Sequence, residues 1–190
     1  MRYKEPILEP ILRWFRLKKV SSHIPKMSIV LDIGCGRSTA FLKSISGHIN
    51  QGYGVDFKVE DAMFGNIQTK QLKFEGNLPF DDNSFDVVTM LAVLEHIDDD
   101  EQILKEIYRV LVPGGKLILT VPSVWSQPVL EFMAYKLNIV SKAEIEDHKR
   151  YYNRKKLQRV LVEITGFKQF NHRYFQIWMN NFCTVVKEVY

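Results

Sequence analysis

Two carboxylates and a glycine turn stand in this chain at offsets that suit a nucleoside. The run Leu31-Asp32-Ile33-Gly34-Cys35-Gly36 ends an apolar stretch, and Gly34 and Gly36 allow a tight turn and a close approach to a ligand that a Cβ would block. Asp32 adds a carboxylate at the end of the same stretch. The next apolar stretch closes on Gly54-Val55-Asp56, which sets Asp56 20 residues beyond Gly36, the offset at which an acidic side chain accepts the hydroxyls of a ribose. A dinucleotide fingerprint would want a third glycine at position 39, where this chain has Thr39, and Asp32 beside the turn repels a diphosphate. The same Asp32 suits a ligand that presents an ammonium group. S-Adenosylmethionine carries an ammonium, a sulfonium and no phosphate.

Other side chains compete for a role. His148, Arg150, Tyr151 and Tyr152 cluster before a helical stretch, and each has a structural account beside the functional one: His148 and Tyr151 fixing a loop, Arg150 pairing with an acid. His96 follows Glu95 near the start of a helix. Trp125, Phe132, Tyr135, Phe175 and Trp178 can wall an apolar pocket or pack in a core. Cys35 reads as a small buried residue rather than a nucleophile. Asp81, Asp82 and Asp98 to Asp100 read as a turn and a helix start, and no metal site is expected.

The elements that must position these residues follow from periodicity. Short apolar runs at 29–33, 51–56, 70–74, 85–90 and 116–121 alternate with helical ones, the pattern of βα units around a parallel sheet. The clearest helix is 101–111, stopped by Pro113, Gly114 and Gly115; a second runs over 154–165, with Asn153 as its cap and Gly166 as its close. Residues 167–175 and 181–189 read as a hairpin at the sheet edge. An amphipathic helix over 6–19 places Ile7, Leu8, Ile11, Leu12 and Phe15 on one side. The fold class expected is α/β, a doubly wound Rossmann-like sheet of seven strands, mostly parallel with an antiparallel last strand and helices on both faces. Residues 1–26 form an N-terminal extension and 27–190 the domain, with 122–147 inserted on the substrate side.

Composition narrows the class. With 190 residues, 46% of them apolar and 25% charged, the chain can bury the core of one globular domain. Two cysteines, Cys35 and Cys183, exclude a disulfide framework and point to a reducing cytoplasm. No apolar run is long enough to span a membrane. The net charge of +4 hides basic ends around an acidic middle, which argues against a duplex nucleic-acid groove. The basic helix over 6–19 either covers a ligand cleft or rests weakly on an anionic membrane surface.

Six motifs in order then carry a resemblance: LDIGCG, GVD, EGNLPFDDNSFDVV, LAVLEHI, LKEIYRVLVPGGKLILTVP and HKRYYNRKKLQRVLVEITGF. Over roughly residues 27 to 167 the chain resembles the class I S-adenosylmethionine-dependent methyltransferases, within them the small-molecule type 11 family related to ubiquinone-biosynthesis enzymes. The resemblance implies S-adenosylmethionine as cofactor and methyl transfer to an O, N or C nucleophile of a small-molecule acceptor. It places Asp32, Gly34, Cys35 and Gly36 around the methionine end, Asp56 on the ribose, Phe57 against the adenine, Glu75 and Gly76 at the adenine edge, and the Leu91 backbone beside the methionine moiety. The stretch before Leu78 is one residue shorter than the family's, and its third loop glycine is Ser38, which can cap the following helix. The element holding His148 and Arg150 lies in the family at the mouth of the site. His148 is thus the first candidate base and His96 the second, with Trp125, Arg150 and Tyr151 on the substrate side. A non-catalytic S-adenosylmethionine-binding protein is the alternative. A nicotinamide-dependent oxidoreductase and an RNA methyltransferase stand behind it, the latter against the absence of a DPPY or NPPY tetrapeptide.

Overall fold

The computed structural model describes residues 9–129 and 149–189. Its elements in chain order are helix α1 (Glu9–Ser21), strand β1 (Ile29–Ile33), α2 (Ala40–Ile45), β2 (Gln51–Asp56), β3 (Ala62–Phe64), β4 (Ile67–Gln71), β5 (Phe85–Leu91), α3 (Asp100–Val110), β6 (Leu111–Pro122), α4 (Arg154–Gln158, continued by a π-helical stretch over Arg159–Ile164), β7 (Lys168–Phe175) and β8 (Asn180–Val186). They build one sheet in the order β3-β4-β2-β1-β5-β6-β8-β7. β1 pairs in parallel with β2 on one side and β5 on the other, so the chain winds outward in both directions from the β1/β5 boundary. A doubly wound sheet of this kind opens a crevice at the carboxyl ends of its strands where the winding reverses.

Alternate residues of each strand serve opposite layers. Leu31, Ile33, Val88, Met90, Leu117 and Leu119 pack with α3 and α4 through Ile103, Leu104, Ile107, Leu157 and Leu161. Val30, Val87, Ile118 and Phe182 pack on the other face with Val20 and Ile24 at the α1 end and Phe41, Leu42 and Ile45 of α2.

The sheet has eight strands where the sequence predicts seven. The additional strand, β3, pairs antiparallel with β4 over three residues, and β4 lies at Ile67–Gln71 rather than 70–74. Only Ile67 and Thr69 of β4 are buried, so its polar sequence IQTKQ carries little of the apolar signal that marks a central strand. β8 is antiparallel to both neighbours and inserts between β6 and β7, as the hairpin reading requires.

Helix α1 faces the sheet differently from the expectation. Leu17 and Val20 turn inward, whereas Phe15 is exposed beside Trp14, their rings 4.9 Å apart. Residues two apart on a helix point roughly 200° apart, so a helix seated on Leu17 must turn Phe15 outward. Helix α3 starts on Asp99, whose carboxylate accepts the Gln102 amide at 2.9 Å. Its end is sharper than expected: β6 begins at Leu111 and absorbs Pro113, Gly114 and Gly115 as an irregularity, with Gly114 at φ 79°. Asn153 caps α4 through the Lys156 amide at 2.8 Å, and Gly166, at φ 90°, ends the helical stretch.

Candidate active site

A cleft of about 1010 Å³ opens at the carboxyl ends of the strands. A smaller pocket of about 170 Å³ adjoins it at the turn between β1 and α2. Asp32, Gly34, Cys35, Gly36 and Leu91 line the smaller pocket; Gly34 and Leu91 are shared with the cleft, whose wall also includes Asp56, Phe57, Glu75, Gly76 and His96. The structure thus brings these ten sequence-selected residues to one place.

The two acids are held in different ways. Asp56 is tied directly to the glycine turn: its Oδ2 accepts the Gly36 amide at 2.9 Å and its Oδ1 accepts the Lys58 amide at 2.7 Å. Each carboxylate oxygen keeps a further lone pair for a ligand hydroxyl. Asp32 is 2% exposed, and the Thr89 hydroxyl donates to its Oδ1 at 2.6 Å. Burial pushes the Asp32 carboxyl up to about 7, the Thr89 hydrogen bond opposes this, and the Asp56 charge adds to it. A cationic ligand group would repair that desolvation.

The loop bearing Glu75 and Gly76 is anchored from α3. Gln102 Nε2 donates to the Gly76 carbonyl at 3.0 Å, the Leu78 amide donates to Glu106 at 2.8 Å, and Arg109 donates to the carbonyls of Leu78 and Phe80. Phe57 is 58% exposed at the cleft wall, with the Lys58 ammonium over its ring at 4.7 Å from the centroid. Cys35 is buried against Gly54, where an added Cβ would meet its Sγ at 2.9 Å; burial, then the Asp32 charge, pushes its thiol up to about 12. That is inert packing rather than a nucleophile.

Other expectations need correction. Ser38 does not cap α2: the cap position is Thr39, in the left-handed region at φ 52°, and no side chain caps the helix. Arg150, Trp125 and Tyr151 are not among the described residues that line the cleft. Arg150 is engaged elsewhere, donating to the carbonyls of Ile97 and Asp98 and pairing with Asp100 at 3.0 Å. Trp125 is 60% exposed, Phe175 packs against Phe182, and Trp178 stacks on Tyr174. Pro122, Ser126, Gln176, Met179 and Asn180 line that side instead. His148, Phe132 and Tyr135 lie outside the described residues.

Tyr152 is fully buried and its hydroxyl donates to Asp100 Oδ2 at 2.8 Å, joining the segment before α4 to the start of α3. Tyr152→Phe is expected to cost about 1–2 kcal/mol of stability, measured by urea unfolding, because Asp100 keeps Arg150 as a partner. An unchanged midpoint would show that this contact does not hold the segment.

Two residues that sequence reasoning passed over stand in the cleft wall: Arg16 of α1 and Glu95, in a short 3₁₀ turn after β5. Glu95 is 1% exposed and its Oε2 has no hydrogen-bond partner; burial pushes its carboxyl up to about 8. No group of three or more potential metal ligands occurs among the described residues, and no helix among them is long and apolar enough to cross a membrane.

Comparison with known proteins agrees with this geometry. The "Methyltransferase domain" family matches residues 31–119. A demethylmenaquinone methyltransferase of Listeria welshimeri is 31% identical over 163 residues, covering 74% of this chain and 66% of the relative. The chain spans about half to two thirds of the length of the curated relatives it matches. Among solved structures, an S-adenosylmethionine-dependent methyltransferase of Mesorhizobium loti superposes with a TM-score of 0.68 at 14% identity, covering 92% of this chain and 97% of that one. The [4+2]-cyclase SpnF superposes equally well, with a TM-score of 0.68 at 17% identity, covering 92% and 81%. The shared fold therefore hosts more than one chemistry, and function must be argued from the site.

Proposed function

Since the chain belongs to the type 11 methyltransferase family, we propose that it transfers a methyl group from S-adenosylmethionine to an O, N or C nucleophile of a small molecule. The observation that carries this reading is the direct bond from the Gly36 amide to Asp56, with the buried Asp32 in the small pocket that adjoins the cleft. Asp56 takes the ribose hydroxyls, Phe57 the adenine face, Glu75 and the Gly76 amide the adenine edge, and Asp32 with the Gly34–Gly36 backbone and Leu91 the methionine end. When bound, S-adenosylmethionine supplies a methyl group already activated by its sulfonium. The protein's contribution is to hold donor and acceptor in line and to exclude water. His96 faces the same space as a candidate base, and His148 keeps that role by family resemblance alone.

The acceptor side is lined by Val93, Ile97, Pro122 and Met179 among polar groups, which suits a partly apolar molecule. The relatives' activity on demethylmenaquinone supports the same class. We assign residues 1–26 to a cover, 27–190 to the catalytic unit with 122–147 on its acceptor side, and the whole to the cytoplasm, in keeping with two buried free cysteines.

Calorimetric titration with S-adenosylhomocysteine, with NADH as the control ligand, tests the reading. Micromolar binding of the first alone is expected; binding of neither would return the glycine turn to a structural role. The same titration has a pH signature. An ammonium pairs with ionised Asp32, so ligand must displace its proton below pH 7, and affinity is expected to rise about tenfold from about pH 6 to about pH 8. Asp32→Asn removes that slope if Asp32 is the ammonium partner, and a slope that survives the change would assign it elsewhere.

A further inference from the structure

Three buried side-chain nitrogen or oxygen atoms among the described residues lack a hydrogen-bond partner: Arg16 Nε, Glu95 Oε2 and Thr120 Oγ1. Buried polar groups are ordinarily satisfied, and one left open at a cavity wall marks where a ligand completes it. Arg16 and Glu95 line the cleft. A guanidinium stays protonated, so of the two only Glu95 can give or take a proton. Its place is fixed: the 3₁₀ turn that carries it is pinned by the fully buried Leu94, and its carbonyl accepts the Lys149 amide at 2.9 Å. Leu91, at the end of β5, belongs to the methionine end of the proposed cofactor site, while Val93 and Ile97, on either side of Glu95, line the acceptor wall. Glu95 thus stands at the junction of the two halves of the cleft. Burial pushes its carboxyl up to about 8; its own backbone amide and then the Arg16 charge oppose this. Around it the wall also presents His96 and Asp98 from the same turn, Lys149 from the segment before α4, and Asp56 and Glu75 from the loops after β2 and β4. Lys149 is paired with Asp98.

We propose that the ionised Glu95 carboxylate takes the proton of an acceptor hydroxyl as that oxygen is methylated. This rests on the methyl-transfer reading above and names both the proton acceptor and the kind of nucleophile. In the step, the O–H bond breaks and its proton passes to Glu95 Oε2. The oxygen's electron pair forms the bond to the methyl carbon, and the C–S bond breaks with its pair returning to sulfur. S-Adenosylhomocysteine and a methyl ether are the products, and Glu95 then releases its proton to solvent. A carboxyl held near 8 is a far stronger base than an ordinary one at about 4, and it stands only modestly below a phenol, at about 10. An aliphatic alcohol, as weak an acid as water, lies far beyond its reach. The matching hydroxyl is therefore phenolic or enolic.

The test compares 2-naphthol with 2-methoxynaphthalene, which already carries the methyl group and has no proton to give. Both are titrated by fluorescence onto the full chain, with saturating S-adenosylhomocysteine and again without it. The wild type is expected to prefer 2-naphthol about tenfold at about pH 9 and about twofold at about pH 6, because a hydrogen bond to an ionised carboxylate is the stronger one. The sign follows from linkage: a ligand that donates to the ionised form binds more tightly as pH rises through the titration of Glu95. Glu95→Gln keeps the shape without the charge and is expected to show about a twofold preference at both pH values. A slope owed to His96 or another group of the wall would survive in Glu95→Gln, and that result would overturn the assignment. Absence of any preference in the wild type would overturn it as well. Binding of S-adenosylhomocysteine is read separately, so its failure would remove the cofactor reading and leave the naphthol preference to judge Glu95 on its own.

Discussion

Gly34→Ala is expected to cost about 3 kcal/mol of stability and to abolish S-adenosylhomocysteine binding. Gly34 sits at φ 78°, where a side chain is strained by about 1–2 kcal/mol. An added Cβ would also stand 2.2 Å from Val93 Cγ2, far inside contact distance. Val93 is β-branched and stiff, so it cannot swing clear cheaply, and overpacking of this kind typically costs about 1–3 kcal/mol. The backbone that must yield is the floor of the small pocket, which is why binding falls with stability. Urea unfolding and calorimetry read the two losses separately. Adding Val93→Ala should relieve the clash and leave the φ strain, recovering roughly half of the stability. A Gly34→Ala protein of wild-type stability would mean that the turn has another accessible conformation.

Asp56→Ala is expected to lower S-adenosylhomocysteine affinity by about a hundredfold, equivalent to about 3 kcal/mol. Two effects add. The ribose hydroxyls lose a charged acceptor, and the Gly36 and Lys58 amides lose the carboxylate that fixes the turn. Asp56→Asn separates them, since its amide oxygen can still accept one backbone hydrogen bond; it should recover part of the affinity. Near-wild-type affinity in Asp56→Ala would remove the ribose role.

Much of the wall of this candidate cleft is legible in the sequence, and the reason is local geometry. The 20-residue offset between Gly36 and Asp56 is short-range information, and the two residues are hydrogen-bonded. Central strands such as FDVVTML are buried on both faces and declare themselves by apolar runs, whereas the edge strand β4 does not. What stayed hidden depends on long-range placement. Nothing in RWFRLKK distinguishes Arg16 from its basic neighbours until α1 is seated on the sheet. For Arg150 the sequence offers pairing with an acid beside a substrate role, but the acid, Asp100, is 50 residues away and takes its identity from the fold. Glu95 looked like the neighbour of a histidine, and only its burial gives it a chemical character of its own.

The outward winding of the sheet from the β1/β5 boundary divides the cleft wall between two sets of segments. One wall follows β1, β2 and β4 and is built from Gly34, Asp56, Phe57 and Glu75; the other follows β6 and the β7–β8 hairpin and is built from Pro122, Gln176, Met179 and Asn180. Substitutions on the second wall touch none of the hydrogen bonds that organise the first. On the proposed reading, descendants of such a chain can exchange one acceptor for another while inheriting the donor half intact, and a laboratory library confined to residues 176–180 would sample new specificities on a constant methyl-donor platform.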